Sequence, residues 1–517
     1  MTKPQDGRAN HRGAAVRVLE IPLVKTNIRE YNKPTVCRLR YTTENKSAIF
    51  QGEGSIMPSF DDYHRPGARG YLIGIGGVSM APLAEVLLGE GLLIRGSDMQ
   101  RSEKVEELEA KGIRVNIGHL AENITDDIEF IVRTAAVRDD NPEIRAAREL
   151  GIPVFERTQA WGSIMKDYRT ALCISGTHGK TTTTSMCTHI LMAAEKDPTV
   201  MIGGTLPLLQ AGHRVGRGDT IILEACEYYD SFLAFYPTIA VILDVEADHL
   251  DYFKDLDAVK ASFHRFAALV PPEGTVIVNA DDKNAMDTVR GLDRHIVTFG
   301  LEEGADVRAV NIVTSGSQTE FDVVVRGELF EHLNIRVPGI HNVKNALAAT
   351  AAAVEMGISP LAVKYGLAGF SGANRRFECK GKYNGADVYD DYAHHPGELK
   401  ALLDAVEPIG YKRVVVVFQP HTYSRTAALF DDFVEQLKRP DQTYLAEIYA
   451  AREANTLGIS SEDLAKKIPN SLFFPTFEEL EKALAFSVAP GDLVLTVGAG
   501  DVYRIGERLV ARDSGEN

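Results

Sequence analysis

Residues 174–182 carry residue types that together bind a nucleotide phosphate. They read Ile-Ser-Gly-Thr-His-Gly-Lys-Thr-Thr, between a predicted strand at 170–174 and a predicted helix at 182–194. Backbone N–H groups of such a turn and the positive end of the helix dipole converge on one spot, which suits an anion. Lys180 is expected to reach the outer phosphates and Thr181 to hold Mg²⁺, although Ile174 stands where the usual pattern has glycine.

Two later strands of the same unit end in groups that suit a cation. Glu224 and Glu227 close one strand, and Asp248 and His249 close another. The carboxyl ends of parallel strands face one crevice, so these groups can approach a cation bound to the phosphates. We therefore predict that Glu224 and His249, with Thr181, are metal ligands. The alternative is that the acidic residues begin helices or turns and that His249 is a packed core residue.

A second glycine-rich turn precedes the phosphate loop by about a hundred residues. It contains Gly74, Gly76 and Gly77, has Ser79 at the third glycine position, and is followed by Ser97 and Asp98 after the next predicted strand. The pattern is close to the dinucleotide fingerprint G-x-G-x-x-G. A nicotinamide cofactor is one interpretation, but any diphosphate bound at a helix N-terminus would satisfy the motif.

A third motif begins an alanine-rich helix near residue 340. His341 and Asn345 lie four residues apart and hence on one helical face. They are suited either to gripping a purine ring or to capping the helix.

The elements that position these groups form three alternating strand and helix units. We place them at residues 69–169, 170–370 and 371–517, and alternation of this kind predicts an α/β fold with parallel sheets. In the third unit, a strand is predicted at 413–418 and helices at 426–437 and 477–487. Residues 318–325 and 333–337 alternate without helices between them, which predicts an antiparallel edge on the middle sheet. Residues 1–68 lack a regular apolar period and are assigned to a disordered N-terminal extension, in which residues 1–56 hold ten Lys or Arg against five Asp or Glu.

That basic segment leaves three possibilities open. The segment is compatible with a disordered appendage, with a stretch that precedes a translation start at Met57, or with an arm that binds acidic partners such as RNA.

Composition narrows the class of protein. A net charge of -16 argues against nucleic acid or a membrane surface as a general partner. No apolar run reaches the roughly 18 residues that span a bilayer. With no such run and no apolar signal segment near its start, the chain is expected to be cytoplasmic. The five cysteines are scattered without a C-x-x-C pair, which predicts reduced thiols. We expect the protein to be a monomer or a homodimer.

Taken in order, the motifs resemble those of the Mur ligases of peptidoglycan synthesis. Besides the segments above, the matching runs are Arg375-Arg376-Phe377-Glu378, Asp390-Asp391-Tyr392-Ala393-His394-His395-Pro396 and Phe418-Gln419-Pro420-His421-Thr422-Tyr423-Ser424-Arg425. Together the motifs span residues 71 to about 504, and within the family they most resemble the alanine-adding branch. Other Mur ligases have a carbamylated lysine at the position that is Phe263 here. The absence of that lysine agrees with the alanine-adding branch, which functions without it.

The resemblance implies a Rossmann-like first domain that holds a UDP-sugar, a central P-loop-type domain with a mixed sheet that binds ATP, and a Rossmann-like third domain. The implied substrates are UDP-N-acetylmuramate, L-alanine and ATP with Mg²⁺. The lactyl carboxylate would be phosphorylated by ATP, and the amine of alanine would then displace phosphate.

The resemblance also implies roles residue by residue. Residues assigned to the UDP-sugar are Gly74, Gly76, Gly77, Ser97, Asp98 and Glu227. Residues assigned to ATP are Gly176, Thr177, His178, Gly179, Lys180, Thr181, Thr182, His341, Asn345, Arg376 and Asp391. Residues assigned to catalysis are Lys180, His249, Arg376, His394, His421 and Arg425.

Which group takes the proton from the attacking amine stays open between a histidine and a carboxylate. Two other functions also stay open. One is a related ligase that recycles murein tripeptide, and the other is a nucleotide sensor without catalysis.

Overall fold

The computed structural model describes residues 58–514 except residues 135, 251 and 452. Three sheets follow one another along this part of the chain, and each has helices beside it. The predicted α/β fold with three sheet-based domains is confirmed. No helix among the described residues is long and apolar enough to cross a membrane.

The first sheet is parallel, with strand order β3-β2-β1-β4-β5. Its strands are β1 (Arg69–Ile73), β2 (Leu93–Asp98), β3 (Arg114–Ile117), β4 (Phe130–Arg133) and β5 (Val154–Glu156). Its helices are α1 (Met80–Gly89), α2 (Glu103–Ala110), α3 (Pro142–Glu149) and α4 (Arg157–Met165). The strand order reverses between β1 and β4, so a ligand crevice is expected at their carboxyl ends.

The first domain begins before the boundary predicted from sequence. A 3-10 helix spans Phe60–Asp62, and the Phe60 ring is buried edge-on against Phe130 and Phe155, at centroid distances of 5.2 and 5.4 Å. Residues 58–68 were assigned to the extension, which was wrong for this stretch because it contributes a core aromatic. The rest of that segment, residues 1–57, lies outside the described residues.

The second sheet has ten strands in the order β15-β14-β13-β12-β11-β10-β6-β9-β7-β8. They are β6 (Thr170–Ser175), β7 (Thr199–Leu206), β8 (Ala211–Arg214), β9 (Thr220–Glu224), β10 (Ile239–Ile242), β11 (Thr275–Asn279), β12 (His295–Gly300), β13 (Val307–Ser315), β14 (Gln318–Val325) and β15 (Glu328–Ile335). Its helices are α5 (Lys180–Ala193), α6 (Leu256–Ala268), α7 (Lys283–Thr288), α8 (Ile340–Glu355) and α9 (Pro360–Gly369).

The centre of the second sheet is parallel and covered on both faces. Every residue of β10 is buried, as expected of a parallel strand between two layers of helices. Strands β13, β14 and β15 pair antiparallel at one edge, as the sequence predicts. At the other edge β8 pairs antiparallel with β7, and this hairpin was not predicted.

The third sheet has the order β16-β17-β21-β18-β19-β20, in which only β16 and β17 pair antiparallel among the described strands. Its strands are β16 (Glu378–Tyr383), β17 (Ala386–Asp391), β18 (Arg413–Phe418), β19 (Gln442–Ala446), β20 (Ser471–Phe474) and β21 (Asp492–Val497). Its helices are α10 (Pro396–Val406), α11 (Tyr423–Ala428), α12 (Phe430–Leu437), α13 (Ser461–Ala465), α14 (Phe477–Ser487) and α15 (Tyr503–Ser514).

Candidate active site

The phosphate loop joins β6 to α5, and its two glycines are required by its shape. Gly176 and Gly179 both have positive φ, +143° and +79°. A Cβ atom on Gly179 would lie 2.6 Å from Asn345 Oδ1, and one on Gly176 would lie 2.8 Å from Leu243 Cβ. Only glycine fits both positions, so the backbone can approach a bound anion at the start of α5.

Lys180 lies at the first position of α5 with its amine turned toward the loop. Its Nζ donates to the carbonyls of Gly176 and Thr177 and lies 3.1 Å from Glu227 Oε2. Burial disfavours the charged amine, but the neighbouring Glu227 outweighs burial and raises the pKa of Lys180 above its ordinary value. The loop therefore carries a fixed positive charge, as phosphate binding requires.

The three predicted metal ligands all line one cavity of about 570 Å³. The Thr181 hydroxyl donates to Glu224 Oε2 over 3.2 Å, and the other Glu224 oxygen accepts the Gly203 N–H over 2.7 Å. His249 Nε2 lies 3.7 Å from Glu227 Oε1. The oxygens of Thr181 and Glu224 and the pair formed by His249 and Glu227 are donors that fit a divalent cation.

Glu227 is thus placed differently from its predicted role. The sequence interpretation assigns it to the UDP-sugar, whereas its buried carboxylate contacts Lys180 and His249 in the second domain. Glu227 lies three residues past the end of β9, so its carboxylate is near the crevice at the carboxyl ends of its own sheet, which explains the difference.

His178 connects the phosphate loop to the third domain. Its backbone N–H donates to Asp244 Oδ1 over 2.7 Å, and its ring lies 3.3 Å from Glu246 and 3.6 Å from Glu398. Burial opposes protonation, but the Glu246 and Glu398 carboxylates outweigh burial and raise the pKa of His178 well above its ordinary value. The imidazolium adds a second positive charge at the loop.

A smaller cavity of about 250 Å³ adjoins the loop and has apolar walls. His341, Asn345 and Thr182 line it together with aromatic residues such as Phe299 and Phe370. Burial lowers the pKa of His341 to about 4, so its imidazole is neutral at pH 7. A narrow, mostly apolar slot with a few polar groups suits a nucleobase.

Asn345 has both halves of its amide engaged inside the protein. Its Oδ1 accepts from the Thr183 hydroxyl and its Nδ2 donates to Asn342 Oδ1, each over 3.2 Å. Asn345 therefore lines the slot and also ties α8 to α5.

Two residues of the third domain complete the smaller cavity. Arg376 lines both cavities, and its guanidinium lies 3.4 Å from Glu398 Oε1. Asp391 accepts the N–H groups of Phe377 and Ala393, each over 2.8 Å, and burial raises its pKa to about 6. An ionised Asp391 at pH 7 is an acceptor for hydroxyl groups at the end of the slot.

Two of the three predicted catalytic histidines, His394 and His421, lie beside one another on the third domain. The His394 and His421 rings are 5.7 Å apart, and burial lowers the pKa of each to about 4. Arg425 lies 3.2 Å from Asp248 of the second domain, which joins the two domains by an ion pair. The cluster offers neutral imidazoles next to a cation.

The glycine-rich turn of the first domain is held mainly by its own domain. The Gly76 N–H donates to Asp98 Oδ2 over 2.9 Å, and Gly74 has a φ of +77°. The guanidinium of Arg157 donates to the Ser79 hydroxyl at the start of α1. Sequence reasoning missed Arg157 because a single arginine at the start of a helix carries no pattern.

Ser97 does not present its side chain to a ligand in the predicted manner. It is fully buried, and its hydroxyl donates to Glu143 Oε2 over 2.7 Å and contacts His119 Nδ1 at 3.0 Å. The sequence showed a polar residue at a strand end but not the buried acid that binds it.

The fold and site define a class of protein. It is a three-domain α/β protein that binds a nucleotide phosphate, and the basic and acidic side chains of its site come from two domains. Comparison with known proteins narrows the class. Three family models match, the "Mur ligase family, catalytic domain" at residues 70–169, the "Mur ligase middle domain" at 174–353 and the "Mur ligase, glutamate ligase domain" at 375–500.

The chain is also 46% identical, over 444 residues, to the UDP-N-acetylmuramate–L-alanine ligase of Clostridium novyi, a match covering 85% of this chain and 96% of that protein. The chain belongs to the Mur ligase family, which confirms the resemblance seen in the motifs.

Solved structures agree with this assignment. The UDP-N-acetylmuramate–alanine ligase of Thermotoga maritima matches with a TM-score of 0.72 and 28% identity, covering 87% of this chain and all of that one. A murein peptide ligase of Psychrobacter arcticus shares the fold, with a TM-score of 0.64 and 24% identity over 86% of this chain and 98% of that one.

Proposed function

We propose that this protein is a cytoplasmic ATP-dependent ligase that joins L-alanine to the lactyl carboxylate of UDP-N-acetylmuramate. The observation that carries the proposal is the cavity of about 570 Å³ between the second and third domains. Lys180, Glu224 and His249 line it from one side, and Arg376 and His394 line it from the other. Relatives whose names state this reaction match nearly along their full length.

In the first step, an oxygen of the lactyl carboxylate attacks the γ-phosphorus of ATP, ADP leaves, and an acyl phosphate forms. Lys180 and His178 place positive charge at the loop, and Arg376 faces them from the third domain. Positive groups held in place before the reaction stabilise the charge that develops on the transferring phosphoryl group. The slot lined by His341 and Asn345 accommodates the base of ATP.

Mg²⁺ fits the donor groups present. Thr181, Glu224, His249 and Glu227 are the residues that would hold it. When bound, a magnesium ion supplies positive charge to the phosphate oxygens.

In the second step, the amine of alanine attacks the acyl carbon, the carbonyl reforms, and inorganic phosphate leaves. The ammonium group must first lose a proton. His394, which lines the cavity, and His421 beside it are neutral at pH 7, so each imidazole has a lone pair and is a candidate to take that proton. Arg425, at the adjoining ion pair with Asp248, lies on the same side as these rings and suits the carboxylate of alanine.

The test is release of phosphate from ATP by the purified chain, with UDP-N-acetylmuramate and one acceptor at a time: L-alanine, glycine, L-serine or murein tripeptide. We expect alanine to give the highest kcat/KM and an amide product. Lys180→Ala is expected to abolish turnover while UDP-N-acetylmuramate still binds, because that ligand is assigned to another domain. Preference for tripeptide would favour the recycling ligase, and nucleotide binding without product would favour a sensor.

A further inference from the structure

Glu143 forms a fully buried hydrogen-bond hub in the first domain. It lies in the first turn of α3, and its side chain is 0% exposed. Its Oε1 accepts from the Tyr71 hydroxyl over 2.9 Å and from Asn123 Nδ2 over 2.7 Å. Its Oε2 accepts from the Ser97 hydroxyl over 2.7 Å and lies 2.9 Å from His119 Nδ1. A buried carboxylate is tolerated only when its oxygens are satisfied in this way.

The hub connects parts of the chain that meet at the carboxyl edge of the first sheet. Glu143 comes from the helix after β4, Ser97 lies in β2, and His119 follows β3 by two residues. The Ser97 carbonyl accepts the N–H groups of Gly74 and Ile75, over 2.8 and 2.9 Å, at the start of the glycine-rich turn. Glu143 thereby links that turn to His119.

The same bonds fix which nitrogen of His119 carries the proton. Ser97 has one hydroxyl proton, which it donates to Glu143, so its oxygen can only accept from His119 Nδ1. Nδ1 therefore carries hydrogen, and in the tautomer with this single N–H the lone pair lies on Nε2. No hydrogen bond to Nε2 is formed within the part of the chain that the structure describes, and the side chain is 11% exposed.

We propose that Glu143 is a positioning residue of the nucleotide-sugar site, which holds His119 so that Nε2 accepts a hydrogen bond from an N–H or O–H group of the bound uridine nucleotide. The inference rests on the proposed function, since it assumes that a UDP-sugar binds at this edge of the first sheet. Glu143 itself does not contact the ligand; it acts through His119 and through Ser97, which holds the glycine-rich turn.

The experiment measures binding of UDP-N-acetylmuramate, of UDP and of an ATP analogue by titration calorimetry on the full chain. Glu143→Gln places an amide where four donors converge, and we expect it to weaken UDP binding about tenfold or more while ATP binding changes less than twofold. Glu149→Gln, on the exposed face of the same helix, is the matched control and should bind like wild type.

Two further variants keep the inference testable if Glu143→Gln folds poorly. In His119→Asn the amide N–H replaces Nδ1–H and keeps the bond to Glu143, but nothing replaces Nε2. We expect it to keep the wild-type thermal midpoint and to lose UDP affinity. The double variant Glu143→Gln/His119→Asn should lose much less UDP affinity than the product of the two single-variant losses, because both substitutions act on one contact.

The outcomes separate this inference from the proposed function. If wild type does not bind UDP-N-acetylmuramate, the proposed function fails. If wild type binds it and His119→Asn binds UDP as tightly as wild type, the positioning role of Glu143 is wrong while the proposed function stands. The same conclusion follows if the fold-losses in UDP affinity of the two single variants multiply in the double variant.

Discussion

The acidic residues around Lys180 illustrate what side-chain geometry adds to a motif. The sequence places Glu224 and Glu227 three residues apart at one strand end, and from spacing alone either could ligate a metal. In the structure Glu224 binds Thr181 and the Gly203 N–H, whereas Glu227 lies beside both Lys180 and His249. Glu227 is therefore placed to affect the loop lysine and, in the proposed function, a bound Mg²⁺.

A magnesium titration tests whether both carboxylates belong to a metal site. We expect Glu227→Gln to raise the Mg²⁺ concentration for half-maximal turnover at least about tenfold, as is usual when a partner of a metal site is lost. Glu224→Gln should have a comparable effect, and Glu273→Gln, an exposed residue, should have none. If the dependence of turnover on Mg²⁺ concentration is the same for Glu227→Gln and wild type, Glu227 has a structural role and does not support metal binding.

The raised pKa of Asp391 predicts how nucleotide binding depends on pH. Its pKa is raised to about 6 by burial, so it is mostly ionised at pH 7 and mostly protonated at pH 5. Protonation removes the acceptor that we assign to the hydroxyl groups of the nucleotide. We expect KM for ATP to rise about tenfold as the pH falls from 7 to 5, following the loss of the ionised form.

ATP itself titrates in the same range, so the comparison is with Asp391→Asn. That variant should start from a higher KM at pH 7 and show a smaller further rise on acidification. Parallel curves for the two proteins would mean that the titration of Asp391 does not govern nucleotide binding.

At the scale of elements, the strong apolar patterns were predictable and the short or interrupted ones were not. Strand β18 has the bounds predicted from its run of valines, and α14 begins and ends as expected. Strands β3 and β5 were missed because four and three residues are too few to show a period. The hairpin of β7 and β8 was missed because glycines at 203, 204 and 212 interrupt it.

One predicted helix is divided in the structure. Residues 426–437 were expected to form a single helix, but α11 and α12 meet at Leu429, whose φ of -113° and ψ of 26° are not helical. No glycine or proline marks the break in the sequence. Tertiary packing of the third domain therefore decides it, and local propensity does not.

The first structured element also carries a prediction. Phe60 fills the core of the first domain between Phe130 and Phe155, so Phe60→Ala leaves a cavity there. A buried Phe→Ala change costs about 3–5 kcal/mol. We expect a lower thermal midpoint for the first domain and loss of UDP binding at temperatures where wild type still binds.

Phe486 supplies the control for this substitution. It is 95% exposed, so Phe486→Ala should leave the midpoint unchanged. An unaltered midpoint in Phe60→Ala would show that the Phe60 ring does not stabilise the core of the first domain.

At the scale of the whole molecule, the site exists only where two domains meet. The loop, Lys180 and the metal-binding groups belong to the second sheet, whereas Arg376, Asp391 and His394 belong to the third domain. Sequence reasoning placed these residues in separate units and could not give the contacts between them. The ion pairs of His178 with Glu398 and of Asp248 with Arg425 are products of the domain arrangement.

The Arg425 and Asp248 pair tests whether the domain contact supports the reaction. Both side chains are 14% exposed, and burial of Asp248 is outweighed by His249 and Arg425, which hold its pKa well below the ordinary value. Removing Arg425 takes away one of the groups that stabilise the largely buried charge of Asp248, and breaking a buried ion pair costs about 3–5 kcal/mol in typical cases. We expect Arg425→Ala to lower kcat strongly and change KM for ATP little, because the nucleotide slot is lined by other residues.

Small-angle scattering supplies the structural half of this test, with an ATP analogue and UDP-N-acetylmuramate present. Substrates must enter a cavity enclosed by two domains, so closure of the third domain on the second is expected to accompany binding. Wild type should become more compact with both ligands, and Arg425→Ala should compact less.

Asp248→Ala removes the other half of the ion pair, so it should compact as little as Arg425→Ala. The double variant should compact as much as either single variant. Equal compaction in all four proteins would mean that the ion pair does not hold the domains together, and the role of Arg425 would then be confined to binding the substrates.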